Sequence, residues 1–133
     1  MRVGVDATSW DNRRGYGRFT RAAVSALVAA DADTTYLLYV DGRALPDRPL
    51  PTGATARPVP LRGRQASGSR GVADLARLSR AVRRDRPDAF LFTSPYTWYP
   101  VGSVPTVVGV HDTIARELPE LVLPRRRGSR AAP

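Results

Sequence analysis

Short apolar runs alternate with segments of helical spacing along this chain, and that order most constrains its fold. Five runs are predicted strands: "RVGVD", "TYLLYV", "ATARPVP", "AFLFT" and "PTVVGV". The segments that begin at Gly17 and Gly71 carry apolar residues at the spacing of amphipathic helices. Strands that alternate with helices and are apolar throughout are typical of a parallel sheet covered on both faces. The sequence therefore predicts an α/β fold with a Rossmann-like, doubly wound parallel sheet.

Each predicted helix has one face assigned to the core. The first helix has five such residues: Phe19, Ala23, Ala26, Leu27 and Ala30. The second helix has four: Val72, Leu75, Leu78 and Val82. Both sets follow the spacing of an apolar helix face. Pro87 is predicted to end the second helix, because the residue before a proline disfavours helical geometry.

The residue types that are missing exclude several kinds of functional site. The chain has no cysteine, which excludes a disulfide framework, a thiol nucleophile and a cysteine metal site. A single histidine, His111, excludes a histidine-rich metal site, so we predict no metal. The first residues lack the apolar core of a secretory signal, and no stretch is long and apolar enough to span a bilayer. We therefore expect a cytoplasmic protein.

The strong positive charge suggests a binding function for anionic partners. The 133 residues carry a formal net charge of +9, and all 21 basic residues are arginines. Arginine without lysine is typical of a GC-rich coding sequence, and we assign the larger share of the charge to that bias. The alternative is a small arginine-rich module that binds RNA or an anionic membrane surface. No aromatic residues accompany the cluster from Arg125 to Arg127 as a stacking platform, which disfavours nucleic acid.

Polar residues follow three of the predicted strands where each strand leaves the sheet. Asp6 ends the first strand, Thr93 ends the fourth, and His111 follows the fifth, which is predicted to be buried. Because the carboxyl ends of parallel strands share one edge, we expect these three loops to line one crevice. His111 could act there as a hydrogen-bond donor, as an acid or base, or as a structural residue. Asp112 could orient His111 or cap the helix that "DTIARELPEL" begins.

Two glycines precede the first predicted helix. Backbone N–H groups at Gly15 and Gly17, together with the helix dipole, could bind a phosphate, or both glycines could merely permit a tight turn. As a dinucleotide motif, "GYGRFT" has Thr20 in place of the third glycine. Asp41 after the second strand nevertheless matches the acidic ribose ligand of that motif. An NAD(P)-binding Rossmann protein therefore stays as a minor alternative.

An aromatic loop, "SPYTWYP", follows the fourth predicted strand. Tyr96, Trp98 and Tyr99 are rings of the kind that pack against sugar faces, which would make them acceptor-side contacts. Such rings are also typical of loop anchors that pack against a core or a second domain. The aromatic residues alone do not decide between these two interpretations.

Three segments together resemble a known enzyme family. They are "MRVGVDAT" followed by "RRGYGRFTR", then "DAFLFTSPYTWYP", and finally "VPTVVGVHDTIARELPEL". Their order and spacing are similar to the N-terminal domain of GT-B fold glycosyltransferases, specifically the retaining glycosyltransferase family 4 (glycosyl transferases group 1). The resemblance runs through most of residues 1–124.

The resemblance implies transfer of a sugar from a nucleotide-sugar donor to an acceptor, with retention at the anomeric carbon. It implies no obligatory metal and no cofactor other than the donor as co-substrate. By resemblance, the loop with Gly15, Gly17 and Arg18 approaches the phosphates and the transferred sugar. His111 of the "HD" motif would lie beside that sugar as the catalytic histidine, with Asp112 supporting it. The acceptor would be a sugar or a lipid-linked sugar, which adds peripheral contact with the inner face of the membrane.

The resemblance also sets the expected domain organisation. Family members are more than twice this length, and their second domain binds most of the nucleotide and supplies paired glutamates. We therefore predict that residues 1–124 form a partial N-terminal, acceptor-side Rossmann-like domain and that residues 125–133 form a basic disordered tail. A truncated enzyme of this kind is expected to be inactive alone, with the catalytic C-terminal domain absent or supplied by another chain. Its exposed apolar face is expected to promote self-association.

Overall fold

The structure is a computed structural model that describes residues 1–42, 46–62 and 70–118. The strands are β1 (Arg2–Asp6), β2 (Thr35–Asp41), β3 (Ala54–Val59), β4 (Ala89–Phe92) and β5 (Thr106–Val108). The helices are α1 (Gly15–Ala30), α2 (Val72–Asp85) and the single-turn α3 (Ile114–Glu117). A 3₁₀ turn lies between β4 and β5, at Pro95–Thr97. The five predicted strands and the two long predicted helices are therefore confirmed.

The described strands form one five-stranded sheet in the order β3-β2-β1-β4-β5, and every pair is parallel. The chain builds the sheet outward from β1 to β3 on one side and then continues through β4 and β5 on the other side. The order of the strands therefore reverses between β1 and β4. In open α/β sheets, ligands bind at the carboxyl ends of the strands beside such a reversal.

Two separate apolar clusters cover the two faces of the sheet, which confirms the doubly wound architecture. Val24 and Val28 of α1 pack on one face with alternate β2 residues such as Leu38. Leu78 and Val82 of α2 pack on the other face, and the intervening β2 residues, Leu37 and Tyr39, point toward them. β2 is apolar nearly throughout because both of its faces are buried.

The predicted apolar face of α1 is wrong. Its buried residues are Gly17, Thr20, Val24 and Val28, whereas the side chain of Phe19 is 44% exposed and Leu27 is 40% exposed. The buried face is displaced by one residue from the predicted one, from Phe19 and Leu27 to Thr20 and Val28. Gly17 is turned inward in the first turn, because the loop that follows β1 passes directly against it.

The inward face of α2 agrees with the prediction at Leu78 and Val82, and Leu75 is partly buried. Val72 differs, because it lies in the first turn beyond the core and is 83% exposed. The helix ends at Asp85, with Arg86 in the left-handed conformation (φ 47°) before Pro87. The predicted helix end is therefore confirmed.

β5 is not the buried strand that its apolar sequence predicts. Thr106, Val107 and Val108 are all exposed, and Val107 is 62% exposed. β5 forms the outer edge of the sheet in the described structure, and its only described neighbour is β4. Apolar character alone cannot distinguish a central strand from an edge strand.

The predicted tail, residues 125–133, lies outside the described residues, as do residues 119–124. Among the described helices, none is long and apolar enough to cross a membrane.

Candidate functional site

Three loops meet at the carboxyl edge of the sheet, beside the reversal of strand order. Asp6 of β1 lies opposite Phe92 of β4, which in turn lies opposite Val108 of β5. The residues that follow these three positions therefore leave the sheet at the same level. This arrangement agrees with the expectation that the loops after Asp6, Thr93 and the fifth strand line one crevice.

His111 is held against the end of β4 by its ring. The Nε2 atom of His111 lies 2.7 Å from the backbone carbonyl oxygen of Thr93. Two residues earlier, Gly109 donates its N–H to the carbonyl of Phe92, and a Cβ at Gly109 would lie 3.1 Å from the Thr93 oxygen. A glycine at position 109 therefore lets the loop run close to β4 and brings the ring within reach of the carbonyl.

The contact with Thr93 fixes the tautomer of a neutral His111. A carbonyl oxygen can only accept a hydrogen bond, so Nε2 must carry the proton. The lone pair then lies on Nδ1, for which no hydrogen-bond partner occurs among the described residues. Neutral His111 therefore presents an acceptor, and protonated His111 presents a donor, at the same ring atom.

The rings of Tyr16 and Phe19 contact His111 at this edge, and the ring of Tyr96 contacts Tyr16. We call these four residues the aromatic cluster: Tyr16, Phe19, Tyr96 and His111. The Phe19 ring lies edge-on to His111 with centroids 4.4 Å apart. The Tyr16 ring lies 5.6 Å from both the His111 and the Tyr96 rings. Tyr96 is 60% exposed and Phe19 is 44% exposed, so the aromatic cluster offers ring faces to a ligand.

Burial raises the pKa of the Tyr16 hydroxyl, and the neighbouring Tyr96 and Asp112 raise it further. The phenol of Tyr16 therefore stays protonated at neutral pH. The cluster thus combines apolar ring faces, a neutral hydroxyl and the Nδ1 atom of His111.

Asp112 has a local structural role. Its Oδ1 atom accepts the backbone N–H of Ile114 at 3.1 Å, which stabilises the turn that leads into α3. Asp112 lies one residue before the N-cap of α3, Thr113, so its contact is a turn bond and not the predicted helix cap. His111 is held by Thr93 and not by Asp112. The supporting catalytic role of Asp112 stays a prediction.

The two glycines before α1 have different environments. A Cβ at Gly17 would lie 2.0 Å from the carbonyl oxygen of Asn12, so only glycine fits there. The guanidinium of Arg21 holds the same loop by donating to the backbone carbonyls of Trp10 and Asn12. Gly17 is therefore explained by packing, which agrees with the turn interpretation of the sequence.

Gly15 lies in an open environment at the start of α1. No described atom lies within 4 Å of a Cβ built at Gly15, and no side chain caps this helix end. Arg18 is exposed one turn later. Of the three residues predicted to approach a phosphate, Gly15 and Arg18 are therefore accessible and Gly17 is not.

Arg70 joins the loop after β1 to the aromatic loop. Its guanidinium lies 3.2 Å from Oδ2 of Asp6, which is 1% exposed, and it also donates to the hydroxyl of Thr8. It donates to the carbonyl of Thr97 at 2.7 Å and lies over the Tyr99 ring. Arg70 therefore neutralises the buried Asp6 carboxylate and fixes the loop after β1 and the aromatic loop relative to each other.

The aromatic loop divides into surface residues and an anchor. Tyr96 and Trp98 are 60% and 54% exposed, whereas Tyr99 is fully buried against Phe90 and Phe92. The Tyr99 hydroxyl has no hydrogen-bond partner among the described residues, and burial raises its pKa well above the ordinary value. Tyr99 therefore anchors the aromatic loop to the core. Its buried position does not fit the predicted contact with an acceptor sugar.

A chain of buried hydroxyl groups lies behind the crevice. Ser9 Oγ lies 2.9 Å from Thr20 Oγ1, which lies 2.7 Å from Thr93 Oγ1. Each of the three residues is at most 4% exposed. The hydroxyl chain, Ser9, Thr20 and Thr93, therefore links the loop after β1, the helix α1 and the end of β4.

Several residues of this site have roles that the sequence did not indicate. Tyr16 and Phe19 contact His111, Thr20 and Thr93 form the hydroxyl chain, and Arg70 is the cation paired with the buried Asp6. The motif "GYGRF" did place Tyr16 and Phe19 beside the predicted site, which was the available signal. The hydroxyl chain and Arg70 connect residues that are far apart in the sequence. No local sequence pattern indicates such connections.

Within the described ranges, no group of three or more His, Asp and Glu side chains is placed to hold a metal ion. The site therefore offers ring faces, hydroxyl groups and one histidine as its chemistry. A scan against protein-family models, a search of curated proteins and a search of solved structures each found no match to this chain.

Proposed function

We propose that this chain provides the acceptor side of a sugar transfer from a nucleotide-sugar donor, as a glycosyltransferase domain. The observation that carries the proposal is the position of His111, with Nε2 bound to Thr93 and Nδ1 directed away from that contact, among exposed rings. This arrangement lies at the carboxyl edge of the sheet, beside the reversal of strand order where ligands of such folds bind.

The chemistry of the aromatic cluster suits a sugar. The C–H faces of a pyranose can pack on exposed rings of the cluster such as Tyr96 and Phe19, while its hydroxyl groups need polar partners. A hydroxyl group can donate to Nδ1 of neutral His111, and the protonated ring can donate to an oxygen that gains negative charge during transfer. The rings therefore supply affinity and His111 supplies orientation and charge stabilisation.

The donor would approach from the start of α1. Uncapped backbone N–H groups near Gly15 and the dipole of this 16-residue helix favour a phosphate there. The resemblance to glycosyltransferase family 4 assigns most nucleotide contacts to a second domain. We therefore expect this chain to bind an acceptor saccharide directly and to catalyse transfer only together with a nucleotide-binding domain.

Saccharide binding tests the proposal. A panel of neutral, acidic and phosphorylated sugars is added to the protein, and binding is detected by saturation-transfer NMR on the sugar signals. We expect at least one sugar to bind, and His111→Ala to weaken that binding about tenfold, as for the loss of one ligand hydrogen bond of about 1.4 kcal/mol.

Leu27→Ala is the matched control, because Leu27 is an exposed apolar residue near the far end of α1. This variant should bind the sugar as the unmodified chain does. If no sugar of the panel binds, or if Leu27→Ala and His111→Ala weaken binding equally, the proposal is wrong.

The outer face of α2 favours a second candidate, binding to an anionic surface such as a membrane. Arg80, Arg83 and Arg84 are exposed on this helix, and only Arg84 has a described ion pair, at 3.5 Å to Asp85. Binding to anionic vesicles that falls steeply with salt and is lost in Arg80→Gln/Arg83→Gln, but not in His111→Ala, would support this candidate. The arginine cluster at residues 125–127, which the sequence also offers for such binding, lies outside the described residues.

A further inference from the structure

We infer that the buried hydroxyl chain positions His111, with Thr20 and Thr93 as its positioning residues. The inference rests on the proposed function only where it assigns Nδ1 of His111 to a ligand hydroxyl group. The positioning itself is a property of the protein without ligand.

Thr93 joins the hydroxyl chain to His111. Its side-chain oxygen lies 2.7 Å from Thr20 Oγ1, and its backbone carbonyl oxygen lies 2.7 Å from Nε2 of His111. Because the two groups belong to one residue, the hydrogen bond to Thr20 restrains the Thr93 backbone that carries the carbonyl. The anchor of the His111 ring is therefore fixed relative to α1.

The hydroxyl groups of Thr20 and Thr93 are removed from water. Thr20 is 1% exposed and Thr93 is 2% exposed. Buried hydroxyl groups are tolerated only where they find partners, and here Thr20 contacts one hydroxyl on each side. The hydroxyl chain thus links three segments by hydrogen bonds. Apolar side chains at the same positions could not form such a link.

The same helix also touches the exposed part of His111. Phe19 is the neighbour of Thr20 in sequence, and its ring lies edge-on to His111 at 4.4 Å, while Tyr16 contacts the ring at 5.6 Å. α1 thereby holds the ring through Thr93 at Nε2 and through two rings at its side. Together these contacts leave Nδ1 as the atom that a ligand can reach.

The nitrogen spectrum of the His111 imidazole measures this positioning. The chain has one histidine, so its two ring nitrogens are observed without overlap after ¹⁵N labelling. For the neutral ring we expect a single tautomer with the proton on Nε2. Thr20→Val should convert this signature into a mixture of two tautomers, whereas Thr20→Ser should restore the single tautomer because it keeps the hydroxyl group.

Thr34→Val is the matched control. Thr34 is a buried threonine whose hydroxyl donates to Asp31 at 2.6 Å, before β2 and at the opposite edge of the sheet. This variant removes a buried threonine hydrogen bond without touching the hydroxyl chain, so the His111 signature should not change. A general loosening of the fold would alter the signature in Thr34→Val as well.

Ser9→Ala decides the question if Thr20→Val does not fold. It removes only the outer hydroxyl, 2.9 Å from Thr20, and should give a partial mixture of tautomers. A folded Thr20→Val, or failing that Ser9→Ala, that keeps the single Nε2-protonated tautomer overturns the inference. The variants could show a mixture of tautomers while the protein binds no sugar. That result would support the positioning of His111 and would contradict only the proposed function.

Discussion

At the scale of single residues, the structure separates positions that hold the fold from positions that face the site. Gly15 and Gly17 are two residues apart, yet the first is open and the second is closed by the backbone of Asn12. Tyr96 and Tyr99 differ in the same way, because one is exposed and the other is buried. Motif spacing alone could not distinguish the members of either pair, since the difference depends on how each loop folds back in three dimensions.

Gly17→Ala should destabilise the protein strongly. The added Cβ would overlap the Asn12 carbonyl, and relief of such an overlap costs about 3 kcal/mol or more of the free energy of unfolding. Gly15→Ala is the control, because the open position should gain up to about 1 kcal/mol from the better helix propensity of alanine. Urea denaturation of both variants measures the difference, and equal stabilities would contradict the packing role of Gly17.

Tyr99→Phe should leave the free energy of unfolding unchanged or raise it by about 1 kcal/mol. The variant removes a buried hydroxyl that has no described partner, and it keeps the ring against Phe90 and Phe92. Tyr39→Phe is the contrasting variant, because the Tyr39 hydroxyl donates to Asp85 at 3.1 Å and its loss should cost about 1 kcal/mol. A greater loss of stability in Tyr99→Phe than in Tyr39→Phe in thermal denaturation would show that the Tyr99 hydroxyl is partnered.

At the scale of elements, the sequence predicts well which helices and strands occur and in what order. It predicts less well which of their residues are buried. The strands and the two long helices follow from apolar runs, helical spacing and Pro87, because these signals are local. The inward face of α1 and the exposure of β5 depend on what lies beside them, so Phe19 and Val107 were assigned to the core wrongly. The loops of the site could be placed from the parallel topology, whereas Arg70 and the hydroxyl chain could not.

Arg70→Ala should destabilise the protein by about 3–5 kcal/mol, because it leaves the buried Asp6 carboxylate without its cation. The exposed residue Arg80 offers a matched control, and Arg80→Ala should change the free energy of unfolding by no more than about 0.5 kcal/mol. Chemical denaturation measures both. A loss below about 1 kcal/mol in Arg70→Ala would mean that Asp6 does not depend on this ion pair.

At the scale of the whole molecule, the two edges of the sheet differ. The β3 edge carries Arg57 and Pro58, which are residues that discourage further strand pairing. The β5 edge is uncharged, and Val107 and Val110 are 62% and 68% exposed. Among the described residues, the β3 edge therefore carries a charge and a proline, whereas the β5 edge has exposed apolar side chains.

Self-association through the β5 edge should follow from this difference. We expect sedimentation velocity to show association that rises with protein concentration, and Val107→Arg to reduce it because a charge then lies on the edge. Val72→Arg is the control, since Val72 is 83% exposed on α2 and away from β5. A monomer at every concentration, or equal effects of the two variants, would contradict a role for this edge.

The most direct test of the proposed site is a map of backbone amide shifts as the best-binding saccharide of the panel is added to ¹⁵N-labelled protein. We predict that the largest shifts lie at Tyr16, Phe19, Tyr96 and His111, around the carboxyl edge of the sheet. Shifts confined to the outer face of α2 or to the opposite edge of the sheet, or no shifts with any sugar of the panel, would contradict a saccharide site at His111.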